Sequence, residues 1–309
     1  MDQLVHIQGD ESSPLTPLIL IHAISGLALP YLALGPLDGD DLSTGRPVYG
    51  LSSPLLTSSR KPFTYLPTSL SALASQYVSL IQQKFLKGPY LLGGWSMGGM
   101  IAMEMTSILR SQGETVLHVL MIDSVNPPNY PKFVDRQEHE IVSRITYNAI
   151  ACRLGASSVP LTIEEDDPDG ANSEENSSAE TSAENSDDED WDDDMEDMLR
   201  KMRKHIHWGL SVLSLASWSQ TADILENVST TPVTLIKCVQ PSPIPADVRD
   251  GRRKVLRKLN MDSRLGWPTE KFEDFRTVRF GATHDSCFDV GFVDELTRLM
   301  RLCLADVRE

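Results

Sequence analysis

A serine flanked by glycines, in the pentapeptide Gly94-Trp95-Ser96-Met97-Gly98, is the feature of this chain best suited to covalent chemistry. A short apolar run, residues 90–92, precedes it, and a helix-forming stretch, residues 100–110, follows it. A strand, a glycine-flanked serine and a helix in that order are typical of a nucleophile elbow, a strained turn that exposes the serine hydroxyl. The helix also directs N–H groups and the positive end of its dipole towards a developing oxyanion. We therefore predict that Ser96 is a nucleophile; a glycine-rich turn that merely contains a serine is the alternative.

A serine hydroxyl needs a base to take its proton, and the base needs an acid to orient it. For a serine on such an elbow, the order along the chain is serine, acid, histidine. Of the seven histidines, His284 lies in a loop after the last predicted strand and before the final helix. Asp123 ends the strand that follows the helix of the serine, whereas Asp247 and Asp250 come after the next strand, beyond a proline-rich segment. We predict His284 as the base and Asp123 as its acid, with Asp247 or Asp250 as the alternative.

Two backbone N–H groups are expected to hold the oxyanion. One belongs to Met97, the residue after the serine, and the other to the loop after the first long strand. That loop is residues 22–26, where Ala23 or Ile24 would donate. Loss of one such donor typically costs about 10²- to 10³-fold in rate.

A sheet must position these residues. Apolar runs alternate with helical patterns along the chain, which predicts an α/β fold with a mostly parallel central sheet flanked by helices. In such sheets the active site forms at the carboxyl ends of the strands, where Ser96 would lie. The predicted strands are residues 18–23, 48–51, 90–94, 116–123, 233–239 and 276–280, and the other predicted helices include residues 69–86 and 290–304.

Apolar runs and helical patterns cease to alternate between about residues 126 and 225. Residues 164–197 contain 18 acidic residues and no Lys or Arg, a composition that predicts a disordered insertion. Residues 192–207 follow an amphipathic helical pattern, with acidic residues first and basic residues last, which complements a helix dipole. We interpret the region as a lid over the active site, with a helix packed on the core as the alternative. The chain is thus predicted to divide into an N-terminal core segment (residues 1–125), a lid insertion (residues 126–225) and a C-terminal core segment (residues 226–309).

Composition excludes several classes of function. The net charge of −16 arises from the acidic segment 164–197, because the residues outside that segment include 26 acidic residues and 28 Lys and Arg. No basic surface dominates, which argues against nucleic-acid binding. The uncharged stretch 14–37 is interrupted by Pro and Gly, so it fits a buried strand and loop better than a membrane span. The N-terminus lacks a secretory signal and the four cysteines lack metal-ligand spacing, so we expect a cytoplasmic protein with reduced thiols, no metal and no bound cofactor.

Several motifs together resemble the thioesterase domains that end fungal polyketide synthases and peptide synthetases. They are residues 18–22, 31–36, 47–50, 88–99, 121–124, 232–236 and 281–284, and the resemblance spans nearly the whole chain outside the acidic insertion. It implies an α/β-hydrolase fold with a helical lid, and an acid that follows the strand after the helix of the nucleophile, which matches Asp123. It also implies that Ser96 receives an acyl chain from the phosphopantetheine thiol of a carrier protein. Release would then follow by hydrolysis, lactonisation or Claisen-type cyclisation.

The partner expected from this resemblance is an acyl carrier protein or synthase. The chain starts at Met1 and holds no Asp-Ser-Leu carrier motif, so we expect it to act in trans, as a releasing or an editing enzyme. Its loop 22–26 lacks the Asp-Gly that many synthase thioesterases carry there. A carboxylester hydrolase or lactonase, and a catalytically silent binding protein, are the alternatives. A basic run could dock an acidic carrier protein or could form a solvated helix face; it comprises Arg249, Arg252, Arg253, Lys254, Arg257 and Lys258.

Overall fold

A seven-stranded sheet forms the centre of the molecule in the computed structural model, which describes residues 2–57, 66–160 and 186–308. The strands are β1 (Leu4–Gln8), β2 (Leu18–Ile21), β3 (Val48–Leu51), β4 (Tyr90–Trp95), β5 (Val116–Ile122), β6 (Val233–Cys238) and β7 (Phe275–Phe280). Their order is β1-β3-β2-β4-β5-β6-β7; β1 is antiparallel to β3, and all other neighbours are parallel. The carboxyl ends of β4 to β7 therefore meet at one edge of the sheet, as predicted.

Helices cover both faces of the sheet, which explains why the four residues of β2 are all apolar and fully buried. The helices are α1 (Pro54–Thr57), α2 (Leu70–Lys84), α3 (Met97–Ser111), α4 (Arg136–Arg153), α5 (Ser186–Ser214), α6 (Trp218–Val228), α7 (Asp250–Met261) and α8 (Val293–Ala305). One face of the sheet packs against α2, α3 and α6, and the other packs against α8 and the segment around Tyr31. The helix α2 begins where predicted, because the side chain of Ser69 accepts a hydrogen bond from the N–H of Ala72 at 3.1 Å.

Between β5 and β6 the chain forms α4, α5 and α6. The helices α4 and α5 share a small core of their own, in which Tyr147 of α4 packs with Met202, Ile206 and Leu210 of α5. The predicted disordered segment 164–197 differs from the structure at residues 186–197, which form the first turns of α5. A helix dipole favours negative charge at its N-terminus, so an acidic composition does not exclude a helix there. The remaining residues of that predicted segment, 164–185, lie outside the described residues.

The helix α5 also extends seven residues beyond the predicted end at residue 207, because Leu210, Val212 and Leu213 continue to bury apolar surface. Five other elements were not predicted. The edge strand β1 buries only a fraction of its surface, α1 has only four residues, and α4, α6 and α7 lie in or beyond the region where strands and helices cease to alternate in the sequence. Across residues 2–57, 66–160 and 186–308, none of the helices combines the length and the apolar composition that a membrane span requires.

The basic run at residues 249–258 extends from the N-cap of α7 along most of the helix and is only partly a solvated face. The guanidinium of Arg252 is buried and contacts Glu138 at 3.1 Å, and Arg249 contacts Asp135 at 2.6 Å. These two ion pairs attach α7 to the first turn of α4. Among the residues that the structure describes, Lys254, Arg257 and Lys258 are exposed and form no ion pair.

Candidate active site

Ser96 lies at the sharp turn between β4 and α3. Its φ of 57° and ψ of −122° are strained for a residue with a side chain, as a nucleophile elbow requires. A Cβ on Gly98 would lie 2.1 Å from the carbonyl oxygen of Ile21, and one on Gly94 would lie 2.4 Å from the carbonyl carbon of Gly98. Both positions therefore need glycine because backbone approaches backbone there. The N–H of Ser96 donates to the carbonyl of Ile122 at 2.9 Å, which fastens the turn to β5.

Three side chains, each from the segment that follows a different strand, meet at this turn. The Nε2 of His284 lies 3.0 Å from the Oγ of Ser96, and the Nδ1 of the same ring lies 2.8 Å from Oδ2 of Asp123. Ser96 follows β4, Asp123 follows β5, and His284 reaches both from the loop after β7, across the end of β6. The base thus contacts the nucleophile through one nitrogen and the orienting acid through the other, the arrangement that nucleophilic acyl transfer requires. The structure brings together the three residues that were predicted as a triad.

The carboxylate of Asp123 is buried and held by three partners. Besides His284, its Oδ1 accepts a hydrogen bond from the N–H of Cys238 at 2.9 Å and lies 3.3 Å from the ammonium of Lys237. Burial alone would raise the pKa of Asp123. The hydrogen bond from His284, the positive charges of His284 and Lys237 and the hydrogen bond from Cys238 outweigh burial, so its pKa lies below the usual value. Asp123 therefore stays ionised at neutral pH.

The negative charge of Asp123 raises the pKa of His284. Burial alone would lower the pKa of His284, but the hydrogen bond to Asp123 and the negative charge of the carboxylate raise it to about 9. A raised pKa means that the site favours the imidazolium, the form that the ring takes after it removes the serine proton.

The loop that carries His284 is fixed by its own side chains. The N–H of Thr283 donates to Oγ of Ser286 at 3.1 Å, and the N–H of Ser286 donates to Oγ1 of Thr283 at 3.2 Å. The thiol of Cys287 donates to the carbonyl of His284 at 3.1 Å. The ring of Trp95, the residue before the nucleophile, lies 5.4 Å from the imidazole between centroids. These contacts restrict the imidazole to the position between serine and aspartate.

The predicted oxyanion donors lie next to the elbow. Met97 is the buried first residue of α3, and Ala23 and Ile24 occupy the turn that follows β2. Within the described ranges, the N–H groups of these three residues make no hydrogen bond, so they are free to bind an oxyanion. The carbonyl of Ala23 accepts hydrogen bonds from Nδ1 of His22 at 2.6 Å and from the N–H of Gly26 at 3.0 Å, which fixes the peptide that carries the Ile24 N–H.

The alternative acids lie elsewhere. Asp247 is exposed in the loop before α7, and Asp250 is exposed on the first turn of α7, where its carboxylate pairs with Arg253. Neither contacts His284. Of the three aspartates considered from the sequence, Asp123 is the one that contacts His284.

A family model for the thioesterase domain matches residues 48–146, a range that includes Ser96 and Asp123. The thioesterase pytI of Aspergillus terreus is 46% identical over 313 residues, which cover 99% of this chain and all of that protein. The chain belongs to the thioesterase family. It is a hydrolase of the thioesterase type.

Two more distant proteins are similar to this thioesterase. The non-reducing polyketide synthase PFUR17_0229 of Pseudevernia furfuracea is 35% identical over 156 residues, which cover 50% of this chain and 7% of the synthase. The solved NocB thioesterase domain, in covalent complex with a fluorophosphonate nocardicin G analogue, superposes with a TM-score of 0.59 at 20% identity. That superposition covers 97% of this chain and 99% of the other, and it supports the predicted α/β-hydrolase fold.

Two polar residues at the site of the thioesterase were not predicted. One is Lys237, the residue that contacts the carboxylate of Asp123. The other is Tyr31, whose hydroxyl donates to the carbonyl of Ile21 at 2.6 Å and accepts from the N–H of Trp95 at 2.8 Å, so it joins β2 to β4 just before the nucleophile. The sequence offers no signal for Lys237, which occupies an ordinary strand position. Tyr31 lies within a motif that carries the family resemblance, but nothing near it in the sequence indicates a role.

Proposed function

We propose that this thioesterase cleaves an acyl thioester through a covalent acyl-enzyme, with Ser96 as nucleophile, His284 as general base and Asp123 as its orienting acid. The observation that carries the proposal is the pair of contacts at His284, 3.0 Å to the Oγ of Ser96 and 2.8 Å to the carboxylate of Asp123. The strained backbone of Ser96 supports it, because such strain is typical of an elbow that presents a nucleophile.

The first half-reaction forms the acyl-enzyme. Nε2 of His284 removes the proton of Ser96 while Oγ attacks the thioester carbonyl carbon. The N–H groups of Met97 and of Ile24 or Ala23 hold the tetrahedral oxyanion. The carbon–sulfur bond then breaks, and the departing sulfur takes the proton from His284. The acyl chain remains as an ester on Ser96.

The second half-reaction releases the chain. His284 takes a proton from water, or from a nucleophile on the chain itself, as that group attacks the serine ester, and the same donors hold the second oxyanion. The bond between the acyl carbon and Oγ of Ser96 then breaks, and His284 returns the proton to Oγ. Water gives a free acid; an internal hydroxyl or carbon nucleophile gives a ring. Each step uses the same three side chains, so the triad serves hydrolysis and cyclisation equally.

The substrate that we propose is a polyketide-like acyl chain carried by the phosphopantetheine arm of a carrier protein, in secondary metabolite biosynthesis. The partial match to a non-reducing polyketide synthase and the fold shared with the NocB thioesterase domain support this substrate class. The partner would be an acyl carrier protein or a synthase that acts with this chain in trans. The helices inserted between β5 and β6 would form the lid of the acyl chamber. The only cofactor involved would be the phosphopantetheine of the partner.

Active-site labelling tests the catalytic role. A fluorophosphonate probe should label the native enzyme and not Ser96→Ala, whereas Ser79→Ala, an exposed serine on α2, should label normally. For the triad as proposed, Ser96→Ala should lower kcat by about 10³-fold or more. Equal labelling of the native enzyme and Ser96→Ala, or no labelling of either, would show that Ser96 is not the nucleophile.

The substrate class needs its own experiment. The same acyl chain should be offered as a carrier-protein thioester, as a small thioester and as the matched oxyester, with mass analysis of the product. Preference for the carrier-bound thioester would support the proposal. Preference for the oxyester would favour a carboxylester hydrolase or lactonase on the same fold.

A further inference from the structure

The helix α5 contacts the two segments that carry the proposed oxyanion donors. A Cβ on Gly209 of α5 would lie 2.5 Å from Cδ1 of Ile24 and 3.2 Å from Sδ of Met97. Glycine at position 209 therefore allows α5 to lie directly on both residues. The helix is held there by Met202, Ile206 and Leu210, all buried in the core that it shares with α4.

His205, one turn before Gly209, makes a polar contact with the same loop. Its Nδ1 lies 3.0 Å from the carbonyl oxygen of Ile24, and the residue is fully buried. A contact with a carbonyl requires the proton on Nδ1. Burial lowers the pKa of His205 to about 4, so the ring is neutral at physiological pH. Gly26 makes room for the ring, because a Cβ there would lie 3.0 Å from it.

A second imidazole holds the preceding peptide of the loop. Nδ1 of His22 donates to the carbonyl of Ala23, and its Nε2 accepts from the hydroxyl of Tyr77 at 2.5 Å. The rings of His22 and His205 lie 5.1 Å apart between centroids. In a trans peptide the N–H of Ile24 points opposite to the carbonyl of Ala23. With both flanking peptides held, the backbone angles of Ile24 and the direction of its N–H are fixed.

We infer that His205 is a positioning residue for the oxyanion hole: by holding the carbonyl of Ile24, it makes helix α5 a component of the hole. The donor loop is then fully ordered only when α5 lies over it. This inference rests on the proposed catalytic function, since it assigns Ile24 as an oxyanion donor. The helix would thus do more than cover the substrate, because its position would set the rate of the chemical step.

A matched pair of substitutions at position 205 tests this role. His205→Asn keeps an N–H donor near the position of Nδ1, whereas His205→Leu has a similar size and no donor. The measurements are the second-order rate of labelling by a fluorophosphonate, whose phosphoryl oxygen enters the oxyanion hole, and kcat and KM on an acyl thioester. We expect His205→Leu to lower both the labelling rate and kcat by about 10- to 100-fold and to leave KM unchanged. The reason is that a misplaced Ile24 N–H stabilises the oxyanion less well. We expect His205→Asn to recover most of the rate.

The pH profile separates this role from a general loss of structure. Neither substitution touches His284, so the pH at which the labelling rate rises should stay the same in both variants. Native-like labelling of His205→Leu, or equal slowing of the Leu and Asn variants, would overturn the inference. If His205→Leu does not fold, His205→Gln replaces it, because its longer side chain places the amide near Nε2 instead; rates equal to those of His205→Asn would then overturn the inference.

The labelling assay also keeps this inference apart from the choice of substrate. If the native enzyme is labelled at Ser96 but cleaves no thioester, the proposed function fails while the labelling rates of the His205 variants still decide the role of His205.

Discussion

Asn in place of Asp123 tests the triad most sharply, because the two side chains have the same shape. Oδ1 of Asp123 accepts from the N–H of Cys238 at 2.9 Å and lies 3.3 Å from the ammonium of Lys237. The amide oxygen in Asp123→Asn must take this position, because the amide NH2 would otherwise face two donors. The NH2 group then takes the place of Oδ2 and faces Nδ1 of His284, at a separation of 2.8 Å in the native site.

The consequence is the wrong tautomer of His284. A donor opposite Nδ1 makes that nitrogen an acceptor, so the neutral ring carries its proton on Nε2 and cannot accept the proton of Ser96. The equivalent change in serine proteases costs about 10⁴-fold in kcat. We therefore expect Asp123→Asn to lower kcat by about 10³- to 10⁴-fold with a small change in KM.

The pH profile gives a second, independent readout. In the native enzyme the pKa of His284 is raised to about 9, and neutral imidazole is the active form. About one molecule in a hundred then carries neutral His284 at pH 7, and kcat/KM should rise about tenfold per pH unit before levelling near pH 9. In Asp123→Asn no carboxylate stabilises the imidazolium of His284, and burial still disfavours that charged form. The rise of kcat/KM should therefore move to lower pH.

The assay is kcat/KM on a small acyl thioester between pH 6 and pH 10. The control is Asp250→Asn, which changes an exposed carboxylate on α7 and should leave both rate and profile unchanged. If Asp123→Asn stayed within tenfold of the native rate and kept the native profile, the assignment of Asp123 would be wrong.

Three further predictions concern buried contacts. Lys237→Met removes a positive charge beside Asp123, so the rise of kcat/KM should move to higher pH by up to about one unit, and the free energy of unfolding should fall by about 3 kcal/mol; a move to lower pH would contradict this. Gly98→Ala should destabilise the fold by about 3 kcal/mol or more in a denaturant titration, because its Cβ meets backbone, whereas Gly251→Ala on α7 has open space and should be neutral or slightly stabilising. Burial raises the pKa of Glu104 to about 7, above its value of 4.5 in an unfolded chain, so the native state loses stability as pH rises from 4.5 to 7. Glu104→Gln should therefore raise the free energy of unfolding by about 3 kcal/mol at pH 8 and leave it unchanged at pH 4.

The predictable residues of the site are those that directly follow a strand. Ser96 and Asp123 each come just after a buried apolar run, the loop of His284 follows the edge strand β7, and parallel strands bring their carboxyl ends together. The sequence favours Asp123 over the aspartates at 247 and 250, because a proline-rich segment separates those two from their strand, but it leaves them as alternatives. The decision depends on how far the chain travels between β6 and α7, a distance that local patterns do not encode.

The unpredicted residues depend on contacts between positions far apart in the chain. Lys237 is a charged residue in a central strand, and its burial is possible because Asp123, 114 positions earlier, supplies a counter-charge. Arg252 and Glu138 show the same dependence: each is charged and buried, and neither would be expected inside without the other. Hydrophobic periodicity detects apolar faces, so buried ion pairs of this kind appear in the sequence as solvent-exposed positions.

Three histidines lie at the site, and the structure gives them different electrostatic environments. Burial lowers the pKa of His22 to about 3 and that of His205 to about 4, whereas the carboxylate beside His284 raises its pKa to about 9. Between pH 5 and pH 8 the first two rings therefore stay neutral, and the tautomers that hold the loop at Ile24 do not change. Of these three rings, only His284 therefore contributes to the pH dependence of the chemical step in that range. A substitution at the base or its acid should shift the profile, whereas a substitution that disturbs only the oxyanion hole should lower the rate without a shift.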